Sequence, residues 1–342
     1  MKIKKSFMER AIQLAKNGLG NVSPNPMVGC VIEHKGRILS EGWHYKYGEA
    51  HAEVIAINKI KNCFLLLEST LYVTLEPCVH IGNTPPCVDL IIKNNIPRVV
   101  IGVQDPYNKV KGRGIDKLRK SGILVINNYL ENECKILNKR FFTFYKKNRP
   151  FIILKWAQNN DGFITSQEKK KIWISNIFSR QLNHKWRAEE DSILIGKRTV
   201  LIDNPKLNIR KWYGNNPIRI LLDKNLNIPN NYFVLDNSQR TIIFNEIHKK
   251  KNNNIEYIKI NFNKDMLFYV LKHLYNRKIQ SIIIEGGKKI LESFIKENLW
   301  DECRIFISKI FIKSGIKAPN INGSFYKEII INDIDKLIIK HY

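Results

Sequence analysis

Apolar positions in the first half of the chain alternate between two periods. Residues 6–19 follow the helical period, and Ser6-x-x-Glu9 has the form of a capping box at the start of that helix. Asn25 to Ile32 reads as a turn running into a strand, Gly36-Arg37 as a hairpin turn, and Ile38 to Trp43 as the returning strand. The pattern then predicts a helix over 51–61 and strands over 70–75, 98–103 and 123–126, with helices over 86–94 and 112–121 between them. A hairpin followed by such an alternation predicts an α/β layered sheet with helices on both faces. Glu131 to Tyr145 reads as an amphipathic helix, and Lys146-Lys147-Asn148-Arg149-Pro150 as a boundary, which divides the chain into residues 1–146 and 147–342.

The second half restarts with a strand over 151–157 and a turn at Asp161-Gly162. Next comes a helix capped by Ser175 and running to about Glu190. Strands follow at 192–195, 218–223, 241–245 and 281–284, with a helix over 265–277, so a second α/β sheet is expected. The strand at 281–284 runs into Glu285-Gly286-Gly287 and another helix, an arrangement that lets backbone N–H groups approach a phosphate.

Length adds to this picture, since 342 residues suit two domains better than one. No run of eighteen apolar residues occurs and no secretory leader is visible, so a cytoplasmic protein without a membrane span is expected. Six cysteines in so long a chain do not make a disulfide framework. The net charge of +26 would suit nucleic acid, but the basic residues are spread along the chain without interleaved aromatics. Lys, Asn and Ile crowd the whole sequence, as a low-GC genome would produce, and no nucleic-acid partner is expected.

The strongest chemical signal lies across the predicted element ends. His51, Cys78 and Cys87 supply three N/S ligands, the number a catalytic zinc (Zn2+) site uses while keeping one position open. Glu53 sits two residues from His51, where it can move protons. A lone His or Cys is ordinarily a packed or surface residue, but these four in this order match the zinc base deaminases. Cys78 and Cys87 are both expected near helix N-termini, where thiolate is favoured. His44, on the loop before the His51 helix, is a candidate substrate contact.

With both halves in view, the chain resembles the bifunctional riboflavin-biosynthesis deaminase/reductases, the RibD family. The first half carries the resemblance in Pro24 to Ile32, Gly42-Trp43-His44, His51-Ala52-Glu53-Val54, Tyr72 to Cys78, Thr84-Pro85-Pro86-Cys87 and Gln104-Asp105-Pro106. In the second half it rests on Lys155-x-Ala157, Trp173-Ile174-Ser175, Arg187-Ala188, Thr199 to Leu207, Arg210 and Glu285-Gly286-Gly287. The resemblance implies a cytidine-deaminase-like three-layer sheet that deaminates a phosphorylated pyrimidine nucleotide. It further implies a dihydrofolate-reductase-like α/β domain that binds NADPH and reduces the ribosyl group, in a homo-oligomer. Asn25, His44, His80 and Asp105 then fall at deaminase substrate positions. Ala157, Trp173, Thr199, Asp203 and Gly287 fall at cofactor positions, and Lys171, Arg187, Leu207, Arg210 and Glu285 at reductase substrate positions. Val79, Ile81, Asn83, Tyr107 and Lys171 depart from the family's usual residues, and by the same resemblance the chain is expected to stop about one strand early, at Ile338 to Tyr342.

Two other readings use the same zinc motif. A tRNA deaminase with a C-terminal RNA-binding domain would explain the charge, but its cysteines would resemble the shorter C-x-x-C form. A non-catalytic zinc protein would need a fourth ligand and no Glu53.

Overall fold

The computed structural model describes residues 3–79, 85–108, 110–166, 176–312, 314–332 and 335–342. His80, Ile81, Asn83, Lys171, Trp173 and Ser175 lie outside these. The chain divides into two compact units, Met1–Asn148 and Arg149–Tyr342.

The first unit opens with α1 (Lys5–Ala15), which starts one residue before Ser6. The capping box does not form, and Glu9 instead pairs with Lys5 one turn back at 3.1 Å. Strands β1 (Gly29–His34), β2 (Arg37–Trp43), β3 (Thr70–Leu75), β4 (Arg98–Val103) and β5 (Leu124–Ile126) form one sheet in the order β2-β1-β3-β4-β5. The hairpin pairs antiparallel and β3, β4 and β5 run parallel. Strands covered on both faces read as unbroken apolar runs, and alternate residues serve opposite faces. Leu71 and Val73 pack with α2 (Ala52–Asn58), α3 (Cys87–Lys93) and α4 (Arg113–Lys120). Tyr72 packs instead with α1, α5 (Glu131–Leu137) and α6 (Lys139–Lys147). One helix over 131–145 was expected, but Asn138 breaks it. The Asn138 amide turns away to exchange hydrogen bonds of 2.8 Å with both the N–H and the C=O of Met27.

The second unit holds β6 (Phe151–Asn159), β7 (Phe163–Ser166), α7 (Ile177–Glu189), β8 (Ser192–Gly196), α8 (Lys197–Asp203), β9 (Ile218–Leu222) and β10 (Thr241–Asn245). Then come β11 (Lys250–Asn252), β12 (Ile255–Lys259), α9 (Met266–Asn276), β13 (Ser281–Ile284), α10 (Lys288–Lys296) and β14 (Glu302–Ser308). The last strands are β15 (Gly315–Lys317), β16 (Ser324–Ile331) and β17 (Asp335–His341). Ten strands lie in the order β11-β12-β10-β9-β8-β13-β6-β14-β17-β16, and β7 pairs with β15 apart from them. Helix α7 is capped by Asn176, whose side chain accepts the Ser179 N–H at 2.8 Å. The tail expected to fall a strand short forms β17, paired on one side with β14 and on the other with β16. One face of the sheet packs on α9 and α10, and the other on Trp186 of α7 and Val200 of α8.

Candidate active sites

In the first unit, His51 sits at the N-cap of α2 with extended backbone, and Glu53 occupies the first turn, 3 % exposed. Helix α2 reaches this place because Gly42 of β2 has no side chain: a Cβ there would stand 2.7 Å from the Ala52 carbonyl oxygen. Cys87 begins α3, as the sequence suggests, but Cys78 lies on the loop after β3 rather than on a helix. It gains its helix contact from outside, since its sulfur accepts the Cys87 N–H at 3.4 Å. His51 Nδ1 lies 3.3 Å from Cys87 Sγ and 3.5 Å from Cys78 Sγ. Zinc–nitrogen and zinc–sulfur bonds of ordinary length, at a tetrahedral angle, place N and S about 3.5 Å apart. The three donor atoms lie within 4.8 Å of one another, so the residues fit the ion.

The charges fit as well. Hydrogen bonding from the Cys87 thiol holds Cys78 as a thiolate, down to about 4, and His51 adds to this. The same contact, with burial, pushes the Cys87 thiol up, so the two sulfurs share one proton until a cation displaces it. Burial raises the Glu53 carboxyl above its ordinary value. Asn25 and His44 join the site: Asn25 Nδ2 is 3.1 Å from His44 Nε2, and the His44 ring stands edge-on to His51 at 5.5 Å. His44 Nδ1 lies 3.0 Å from the Ala50 carbonyl, and burial lowers the ring's pKa, which keeps it neutral. Burial raises Asp105 to about 7, helped by the negative charges of Glu76 and Cys78.

Glu76 is a residue that the sequence reading quoted only as part of a motif. Its buried carboxylate accepts the N–H groups of Asp105, Gly112, Gly114 and Ile115 at 2.9–3.3 Å. It thereby ties the start of the Cys78 loop to the segment that carries Asp105. The available hint was an acidic residue directly after a strand that reads as buried, and directly before Pro77-Cys78.

In the second unit a cavity of about 520 Å³ brings together Thr199, Asp203, Arg187, Leu207, Arg210 and Glu285. Gly287 adjoins it at φ +63°, where a Cβ would press to 3.2 Å from Thr199 Oγ1. That open, glycine-bounded cradle at the start of α10 suits a nucleotide cofactor. Ala157 is not itself a lining residue, but it lies on the same face of β6 as Lys155, pairs with the cavity-lining Phe306 across β6 and β14, and packs in the cluster that holds Leu207. Lys155 and His184 line the cavity too, and the sequence reading gave neither a role. Arg187 Nη2 meets Glu285 Oε2 at 2.9 Å, and Lys155 Nζ stands 3.7 Å from Oε1. Burial alone would raise Glu285, but Arg187 and Lys155 hold it ionised, down to about 2.

Two family models match the chain: the cytidine and deoxycytidylate deaminase zinc-binding region over residues 1–103, and the RibD C-terminal domain over 150–314. The riboflavin biosynthesis protein RibD of Aquifex aeolicus is 38 % identical over 326 residues, which cover 93 % of this chain and 90 % of the relative. That of Bacillus amyloliquefaciens is 37 % identical, covering 94 % and 89 %. A Thermotoga maritima crystal structure, a diaminohydroxyphosphoribosylaminopyrimidine deaminase/5-amino-6-(5-phosphoribosylamino)uracil reductase, superposes with TM-score 0.89 at 36 % identity and covers 98 % of each chain.

Proposed function

The chain belongs to the RibD family of bifunctional riboflavin-biosynthesis enzymes, and on that premise we propose that its two centres act in succession on one phosphorylated pyrimidine nucleotide. The first removes the 2-amino group of 2,5-diamino-6-(5-phosphoribosylamino)pyrimidin-4(3H)-one as ammonia, with water as co-substrate. The second reduces the ribosyl group of the product to ribityl.

His51, Cys78 and Cys87 hold zinc, and their common meeting point beside the buried Glu53 is the observation that carries the first step. Zinc, when bound, supplies a Lewis acid that lowers the pKa of water to near neutrality. Glu53 takes the proton released as the water oxygen bonds to the ring carbon. It gives that proton to the ring nitrogen, then takes the second proton from the newly bound hydroxyl as the carbonyl forms and delivers it to the departing amine, which leaves as ammonia. Its raised affinity for a proton suits this shuttling. Asn25 and His44 orient the pyrimidine, and Asp105 borders it.

In the second unit Arg187 and Arg210 meet the ribose phosphate, for which the guanidinium fork is suited. Leu207 packs on the substrate, and Glu285 meets its polar groups. Thr199, Asp203 and the Gly287 turn hold NADPH, which supplies the hydride when bound. No helix among the described residues is long and apolar enough to cross a membrane. The reading also takes the enzyme to be cytoplasmic and a homo-oligomer, which size-exclusion chromatography with light scattering would measure.

Incubation with the diaminopyrimidinone nucleotide tests the order of steps. Ammonia should appear without NADPH, and the ribityl product only with it. Zinc-loaded protein that releases no ammonia would overturn the reading. Arg210→Ala should raise the reductase KM about tenfold or more, and an unchanged KM would take Arg210 out of the site.

A further inference from the structure

The segment 204–211, between α8 and β9, carries Leu207 and Arg210 to the reductase cavity. It has no helix or strand of its own. Two of its residues, Asn204 and Leu207, sit in left-handed backbone at φ 39° and 53°, a conformation that only a firm surround maintains. That surround consists of side chains from other elements, which bond the segment's backbone group by group. Arg219 Nε donates to Lys206 O at 3.0 Å. Gln239 Nε2 reaches Leu207 O at 3.5 Å while donating to Pro217 O at 2.6 Å. Arg187 Nη1 donates to Asn208 O at 3.3 Å, and Asn216 Oδ1 accepts the Ile209 N–H at 2.8 Å.

The remaining clamp is His184 on α7. The Arg210 backbone N–H donates to its Nδ1 at 3.3 Å. A backbone N–H can only donate, so Nδ1 must carry no proton, which fixes the tautomer with hydrogen on Nε2. The residue is 5 % exposed; the charges of Arg187 on its own helix, Arg210 of the segment and Glu285 after β13 act on the ring, which also hydrogen-bonds the Asn208 backbone. Burial first, then the two guanidinium charges, lower its pKa to about 4, so Nδ1 stays an acceptor throughout the neutral range.

We propose that His184 is a positioning residue of the reductase centre, which sets Arg210 at the substrate by accepting its backbone N–H on Nδ1. The ring does not touch the reacting atoms in this role; it acts through Arg210. The inference rests on Arg210 meeting the phosphorylated substrate, as read above.

The two side-chain amides separate the roles. Asparagine can put its oxygen where Nδ1 was, and glutamine puts its polar end near the Nε2 position instead. The test is reductase kinetics of full-length, zinc-loaded H184N and H184Q, with ribose 5-phosphate binding to the NADPH-free protein by calorimetry. H184Q should raise the KM for the pyrimidine nucleotide and weaken ribose 5-phosphate binding about tenfold. Its kcat, its KM for NADPH and its ammonia release should stay near those of the unsubstituted protein, and H184N should return KM toward the starting value. H184A, too small to clash, is a second acceptor-free variant should H184Q not fold. Equal impairment of H184N and H184Q, no effect of H184Q, or a fall in kcat at unchanged KM would each overturn the proposal. If Arg210→Ala itself leaves KM unchanged, the fault lies with the role given to Arg210. If Arg210→Ala raises KM and H184Q does not, the His184 proposal alone falls.

Discussion

Buried carboxylates behave oppositely in the two units. Glu53 and Asp105 in the first unit are raised, Asp105 to about 7, because burial works on them with no facing cation strong enough to offset it. Glu285 in the second is also largely enclosed and yet falls to about 2, because Arg187 and Lys155 face it. The partner, rather than the depth, decides the protonation state. A group that must take up and release a proton belongs in the first setting, and a group that must stay charged to hold a cationic frame belongs in the second.

The sharpest way to break this contrast is Glu53→Gln. It should lower deaminase kcat by about 10²–10⁴-fold, with zinc content and reductase rate unchanged; ammonia release at the starting rate would remove the proton-carrying role. Next is Glu285→Gln, which leaves Arg187 and Lys155 buried without their counter-charge. Removing one partner of a buried pair costs about 3–5 kcal/mol, so denaturant melts should show the second unit weakened by this order and the first unaffected. A second unit as stable as before would show that the cations relax into solvent.

The smallest effect is in pH. The His184 ring in the unfolded chain takes up a proton near its ordinary value of 6.5, but in the fold not until about 4. Between these values the unfolded state binds more protons, so stability falls as pH falls. This contribution is constant above 6.5, is lost progressively down to about 4, and changes no further below. His184→Asn should flatten the reductase unit's stability profile across that window, as thermal melts at stepped pH would measure. A slope equal to that of the unsubstituted protein would mean that the ring protonates in place.

The zinc centre was legible because its four residues sit at the ends of consecutive elements, where periodicity and spacing locate them. The exception, Cys78, shows the limit: its placement against a helix start comes from a hydrogen bond to Cys87, not from a helix of its own. The reductase centre was less legible. Arg187, Arg210 and Glu285 were reached only through family resemblance, since charged residues at such intervals ordinarily lie in solvent. Local signals also misled where a neighbour offered more. Ser6 and Glu9 form no box because α1 already starts at Lys5, which puts Ser6 inside the helix, and the helix over 131–145 breaks where the Asn138 amide meets Met27.

The order of apolar and polar residues therefore determined two α/β sheets and most of their helices, because burial of one face is a short-range property of a chain. His51, Cys78 and Cys87 could be named although the cysteines stand 27 and 36 positions from the histidine, because each residue type carries its own ligand chemistry. Only the tertiary structure decided what Glu76 and His184 do. Each acts on backbone N–H groups that lie 26 or more positions away along the chain. A backbone N–H is the same in every residue but proline, so the sequence carries no mark of which one a distant side chain will meet.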